Sequence, residues 1–157
     1  VSGWRHAAER WERVDDDVLG PISFLAVEFP GGRVTGEGFR LLMDLVKGGT
    51  IRVLDLEFVA RSAEGVVRTV ALEAIEHTAD VDVSTWQAAE SRLLDASDVE
   101  IVAAQLAPGS LAGILVYENV WAVPLIAALE RDNARIIGEG RVDVEDVVAA
   151  LDRGVTA

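Results

Sequence analysis

Two glutamates close the two most apolar runs of this chain. Glu28 ends Leu25-Ala26-Val27-Glu28, and Glu118 ends Leu115-Val116-Tyr117-Glu118. Two neighbouring carboxylates repel, which raises at least one pKa unless a cation lies between them. Such a coupled pair marks a candidate site. The loops that follow bring Arg33 and Thr35 after the first run, and Asn119 and Trp121 after the second. Glu28, Arg33, Thr35, Glu118, Asn119 and Trp121 therefore form the candidate ligand-binding set. No catalytic residue can be assigned.

The loop Gly31-Gly32-Arg33-Val34-Thr35-Gly36-Glu37-Gly38 leads from strand to helix. Its amides and Arg33 could hold an anion at the helix N-terminus. It lacks the Gly-Lys-Ser/Thr of a phosphate loop and the glycine spacing of a dinucleotide fingerprint. Glu37 would also repel a phosphate. The plainer reading is a flexible connection in which Thr35 caps the helix.

Glu73, Glu76, His77, Asp80 and Asp82 are oxygen ligands with one imidazole. On a helix, Glu73 and His77 would share a face, and a divalent metal could sit there. A solvated acidic connection is the alternative. His6, beside Trp4 and Glu9, reads as structural. Neither histidine comes with a strand–turn–helix elbow, so a Ser-His-acid triad is not expected. Lys47 is the only lysine, and a Schiff-base mechanism would have to use it. No cofactor is implied.

Positioning these residues needs two similar units. The first reads as strand (Ile22–Phe29), loop (Pro30–Gly38), helix (Phe39–Lys47) and strand (Thr50–Val59). The second reads as strand (Leu111–Glu118), helix (Trp121–Arg131) and strand (Arg135–Val142). Strand alternation puts Ile22, Phe24 and Ala26 on one face, and Leu25, Val27 and Phe29 on the other. Both first strands are apolar on both faces, as central strands are. In the strand at Thr50–Val59, Leu54, Leu56 and Phe58 share a face. Ile51, Val53, Asp55, Glu57 and Val59 take the other. Helix Phe39–Lys47 carries Phe39, Leu42, Leu45 and Val46 and stops at Gly48-Gly49.

The remaining stretches are connections and flanks. Val66–Leu72 returns as a hairpin strand after the turn Ser62–Gly65, with Arg68 suggesting an edge. A helix near Ser84 shows Trp86, Leu93 and Leu94. Ser97-Asp98-Val99-Glu100 has capping-box spacing and should start another, with Val99, Val102, Ala103 and Leu106 on one side. Asp143 caps a last helix with Val144, Val147, Val148 and Leu151 inward, ended by Gly154. Residues 1–19 form an N-terminal amphipathic helical arm with Trp4 and Trp11 on one stripe. Residues 20–157 form a single α+β domain.

Composition limits the partners. The 157 residues carry a formal net charge of −13 and no cysteine. Nucleic acid and anionic membrane both require a basic face. Disulfides, cysteine-ligated metals and thiol nucleophiles are excluded. No apolar run approaches the roughly 18 residues of a membrane span, and the N-terminal residues lack a signal-peptide core. A cytoplasmic protein is expected.

Val27-Glu28-Phe29-Pro30-Gly31-Gly32, the block Gly48-Gly49-Thr50-Ile51-Arg52-Val53-Leu54-Asp55, and Pro108-Gly109-Ser110 leading to Leu115-Val116-Tyr117-Glu118-Asn119 resemble a small uncharacterised family common in actinobacteria. Both halves are also similar to a broader family often labelled a predicted membrane protein. The resemblance spans roughly residues 20–152. The broader family often carries a Gly-rich apolar insert between its halves, whereas Ala74–Glu100 here is polar and acidic. Neither resemblance implies an established activity.

The expected fold is α+β: a ferredoxin-like two-layer sandwich with pseudo-duplicated βαβ halves and a mixed sheet of about five strands. Its two central strands would be parallel neighbours, bringing Glu28 and Glu118 together. A doubly wound α/β sheet is the alternative. The expected function is a non-enzymatic oligomeric module for protein interaction, scaffolding or regulation, partnered with itself as a dimer or with another protein. A small-ligand or anion sensor is the second possibility, and an enzyme using acidic residues the third.

Overall fold

The computed structural model describes residues 19–75, 93–135, 137–138, 140 and 142–156. In chain order the elements are β1 (Ile22–Phe29), α1 (Gly36–Lys47), β2 (Arg52–Arg61), β3 (Val67–Val70), α2 (Ala96–Ala103), β4 (Leu111–Glu118), α3 (Val123–Arg131) and α4 (Val144–Thr156). The class is mixed α+β. The chain divides into two units, residues 1–127 and 128–157, with α3 crossing the boundary.

The first unit holds one four-stranded sheet in the order β1-β4-β2-β3. Every pairing is antiparallel. This replaces the expected mixed sheet of about five strands, and it rules out a doubly wound parallel sheet. It also corrects the expected neighbours. β1 and β4 do lie side by side, but they run in opposite directions, with Ile22 opposite Glu118 and Phe29 opposite Leu111. β1 and β2 run parallel to each other with β4 inserted between them, and α1 makes the crossover. Among the described residues of 135–142, none lies in a strand.

β4 holds a central position, as its two apolar faces require. Ala112, Ile114 and Val116 are at most 2% exposed. β1 has the same kind of composition, yet it stands at the edge. Its Leu25 and Val27 are 39% and 43% exposed.

The two faces of the sheet are covered differently. On one, Leu54, Val59, Ile114 and Val116 pack against Leu93, Leu94 and Ala103, with Val99 and Val102 of α2 beside them. On the other, Phe39 of α1 meets Phe58 of β2 at a ring separation of 6.1 Å. Val34, Ile75 and Leu111 complete that cluster.

The register of β2 is interrupted between Val53 and Asp55. One extra residue in a strand inverts the facing of everything before it. Val53 therefore lies with Leu56 and Phe58 on the α1 side, and Leu54 lies with Val59 on the α2 side. That reverses the expected faces of Val53 and Leu54. Asp55 is fully buried, and its carboxylate accepts a 3.4 Å hydrogen bond from the Leu94 amide.

Helix ends follow local chemistry. Thr35 is the N-cap residue of α1 by position, but its side chain makes no capping hydrogen bond. At the other end Gly49, at φ 71°, takes the left-handed position that favours glycine. The Gly49 amide donates to Val46 and the Thr50 amide to Leu45, at 3.1 and 3.0 Å. The capping box of α2 lies two residues earlier than the Ser97/Glu100 spacing suggested. Asp95 accepts from the Asp98 amide at 2.9 Å, and Asp98 accepts from the Asp95 amide at 3.2 Å.

In the second unit, α4 runs through Gly154 to Thr156. Its stripe of Val144, Val147, Val148 and Leu151, expected to face inward, is exposed. Among the described residues, no helix is long and apolar enough to cross a membrane. The Trp4/Trp11 arm and the helix near Ser84 lie outside the described residues.

Candidate functional site

The first unit carries an open apolar groove of about 630 Å³ beside α1. Its floor is the α1-facing side of β1 and β4, with Leu25 and Val27 from one strand and Leu115 and Tyr117 from the other. Its wall is α1, through Leu41 and Leu45. The spacing of Leu41 and Leu45 puts both on one flank of the helix. That flank is turned from the buried cluster of Phe39 and Phe58, so both leucines remain exposed, at 58% and 44%. Among the described residues, no Asp, Glu, Lys or Arg lines the groove.

A glycine sets the depth of the floor. A Cβ on Gly113 would lie 3.1 Å from the Phe58 ring and 3.3 Å from the Phe29 ring. Its absence lets both rings close over β4. Sequence patterning passed over Gly113, because a strand glycine often signals only a bulge.

One end of the groove is polar and well ordered. The Gly48-Gly49 turn swings Thr50 back, so that its carbonyl accepts a 3.2 Å hydrogen bond from the Trp121 amide. Asn119 locks the strand end opposite. Its backbone N–H donates to the Pro21 carbonyl at 2.8 Å. Its Nδ2 donates to the same carbonyl at 2.9 Å and to Ser23 Oγ at 3.0 Å. Its Oδ1 accepts from Trp121 Nε1 at 3.3 Å. The Trp121 ring stands 60% exposed at the mouth.

Three of the six candidate ligand residues, Thr35, Asn119 and Trp121, line this groove. The other three do not. Arg33 is exposed on the loop after β1. Glu28 accepts a 3.0 Å hydrogen bond from the Ala107 amide. Glu118 is buried and serves the fold. Its Oε2 accepts from the Gly20 amide at 2.8 Å, and its Oε1 lies 2.7 Å from Arg52. The antiparallel register puts Glu28 and Glu118 at opposite ends of the β1–β4 pair. The expected carboxylate pair is therefore not formed.

Of the candidate metal set, Glu73 is exposed in a short turn at Leu72–Ala74. Glu76, His77, Asp80 and Asp82 lie outside the described residues. Among the described residues, no three potential metal-binding side chains come together. What the groove offers is contact for an apolar surface, with hydrogen-bonding groups at one end.

No curated protein and no solved structure matches the chain. A family of unknown function, DUF6325, matches residues 18–157. The match covers nearly the whole sequence, and the chain belongs to that family.

Proposed function

We propose that this chain is a non-enzymatic interaction module that works as a homodimer, joined through the uncharged face formed by β1, β4 and the flank of α1. One observation carries the reading. Among the described residues, β1 has the two-sided apolar composition of a central strand but occupies an edge, and the groove beside it contains no charged side chain. Contiguous apolar surface of this kind marks interaction sites. The net charge of −13 narrows the choice of surface. Two copies repel wherever carboxylates meet, so a face free of them is where a second copy can approach.

The finer fold reading belongs here too. β1, α1 and β2, with β4 inserted antiparallel between the strands, have the split form of a ferredoxin-like half. That supports a ferredoxin-like reading of this half. The cytoplasmic location rests on the sequence alone.

Light scattering coupled to size exclusion tests the reading. A species of twice the 16.8 kDa chain mass is expected at micromolar concentrations. A single-chain species throughout would refute it.

The volume of the groove and its ordered polar end favour a second reading, a sensor for a small apolar ligand. Pockets of this size and lining suit such ligands. Native mass spectrometry of the purified protein separates the two. A bound small molecule supports the sensor, and an empty dimer supports the interaction module.

A further inference from the structure

We propose that the groove beside α1 also takes an elongated, uncharged amphiphile, and that this ligand regulates the dimer by occupying its contact face. The proposal rests on the reading of that face as the dimer contact. It adds the class of ligand and the regulation.

The groove runs along α1. That helix has 12 residues and is about 18 Å long. Thr35 stands just before its first turn and Thr50 just beyond its last, and both line the groove. Between them the surface is apolar, with Leu25, Val27 and Leu115 on the floor and Leu45 on the wall. The volume of about 630 Å³ falls within the range of roughly 300–1,000 Å³ for small-molecule sites.

The polar end keeps hydrogen-bonding groups that the fold does not use. Tyr117 shares the α1-facing side of β4 with Leu115 and is half-buried. Among the described residues, the hydrogen bonds at this end run through Asn119, Trp121 and the Thr50 carbonyl. They use neither the Tyr117 hydroxyl nor that of Thr50. A hydroxyl both donates and accepts, so the two suit an alcohol, ester or amide head. The exposed Trp121 ring offers apolar cover beside them.

Charge selects against ionised heads. Among the described residues, no charged side chain lines the groove. A carboxylate or ammonium there would lose water without gaining a counter-ion. The net charge of −13 also repels a carboxylate. A neutral head meets neither cost.

Regulation follows from shared use of one face. Leu25 and Val27 are 39% and 43% exposed, and a partner copy or a ligand can cover them, but not both at once. A ligand that binds only the free face draws chains out of the dimer as its concentration rises.

Decanol is the probe, with decanoate and decylammonium as its ionised counterparts, each below its micelle concentration. The full chain is followed by sedimentation velocity and by methyl NMR. Its mass without probe tests the dimer reading alone. Decanol should then shift the methyl signals of Leu25, Val27 and Leu115 and convert the dimer to a 16.8 kDa species. The ionised probes should need roughly tenfold higher concentration. Tyr117→Phe keeps the ring and removes the hydroxyl. It should weaken decanol binding about fivefold and leave the dimer in place.

A dimer that decanol neither binds nor splits overturns the regulation and leaves the dimer reading standing. Decanol held in the groove of an intact dimer overturns the shared face. An equal response to decanoate or decylammonium overturns the uncharged class. A chain that is monomeric before any probe is added overturns the dimer and its regulation together.

Discussion

Glu118 accepts a 2.8 Å hydrogen bond from the backbone N–H of Gly20, across 98 positions of sequence. The same carboxylate pairs with Arg52 at 2.7 Å, so one buried side chain ties the entry of β1 to the start of β2 and the end of β4. The two partners are unequal. The Glu118 side chain is 5% exposed and that of Arg52 55%. Removing Glu118 strands a buried amide, whereas removing Arg52 frees a group already half in water. Glu118→Ala should therefore cost about 2–3 kcal/mol of stability. Arg52→Ala should cost about 1 kcal/mol or less. Urea unfolding of both variants checks the order, and equal losses would contradict it.

Gly20 is also sterically required. A Cβ there would lie 2.2 Å from the Asn119 carbonyl oxygen, which is backbone and cannot swing aside. Gly20→Ala should cost about 2–3 kcal/mol. Gly113→Ala meets only the rims of Phe58 and Phe29, which can tilt. Its cost should be about 1 kcal/mol. Thermal unfolding should rank Gly20→Ala below Gly113→Ala. The reverse order would mean that the packing around β4 is tighter than the close approach at Gly20.

Much of this arrangement could be read from residue spacing, and the exceptions have physical causes. The alternation of β1, the run of β4, the hairpin at Ser62–Gly65 and the stop of α1 at Gly48-Gly49 follow from local patterns. Strand direction does not. The same apolar run satisfies a parallel or an antiparallel neighbour, so Glu28 and Glu118 were expected together and lie at opposite ends. The irregularity after Val53 left no mark that alternation could detect, because Val53 and Leu54 are both apolar. The groove was half legible. Leu25 and Val27 announced an apolar face, but nothing local revealed that β1 is an edge. Asp95, not Ser97, caps α2 because either residue can accept from an amide two or three positions on. The chain chose the one that also forms the reciprocal bond with Asp98.

That cap has a pH signature. Hydrogen bonds from Ser97 and from the Asp98 amide hold the Asp95 carboxyl below its ordinary value of 3.8. A group whose pKa is lowered by folding stabilises the folded state above its unfolded value. The contribution is lost as pH falls below 3.8 and through the folded pKa. An NMR titration should place the Asp95 midpoint below 3.8, and Ser97→Ala should move it upward. A midpoint at or above 3.8 would remove the cap from the account.

Self-association of so acidic a chain has a distinctive salt response. Repulsion between two chains of charge −13 is screened as salt rises. Among the described residues, the groove face proposed as the contact has no charged side chain to form an ion pair. Dimer affinity should therefore strengthen from low to physiological ionic strength and remain strong above it. Sedimentation velocity at several salt concentrations checks this. Dissociation on adding salt would point to an interface built on charge pairs, against the uncharged face.

The most direct measurement compares the unmodified chain with Leu25→Lys by sedimentation equilibrium. Leu25 is 39% exposed, so a lysine there can reach water from a single folded chain. In a dimer joined through the groove face it would bury a charge within the contact. The account expects a dimer for the unmodified chain and a folded 16.8 kDa monomer for the variant, with an unchanged circular dichroism spectrum. Equal masses for the two proteins, whether both dimeric or both monomeric, would contradict it.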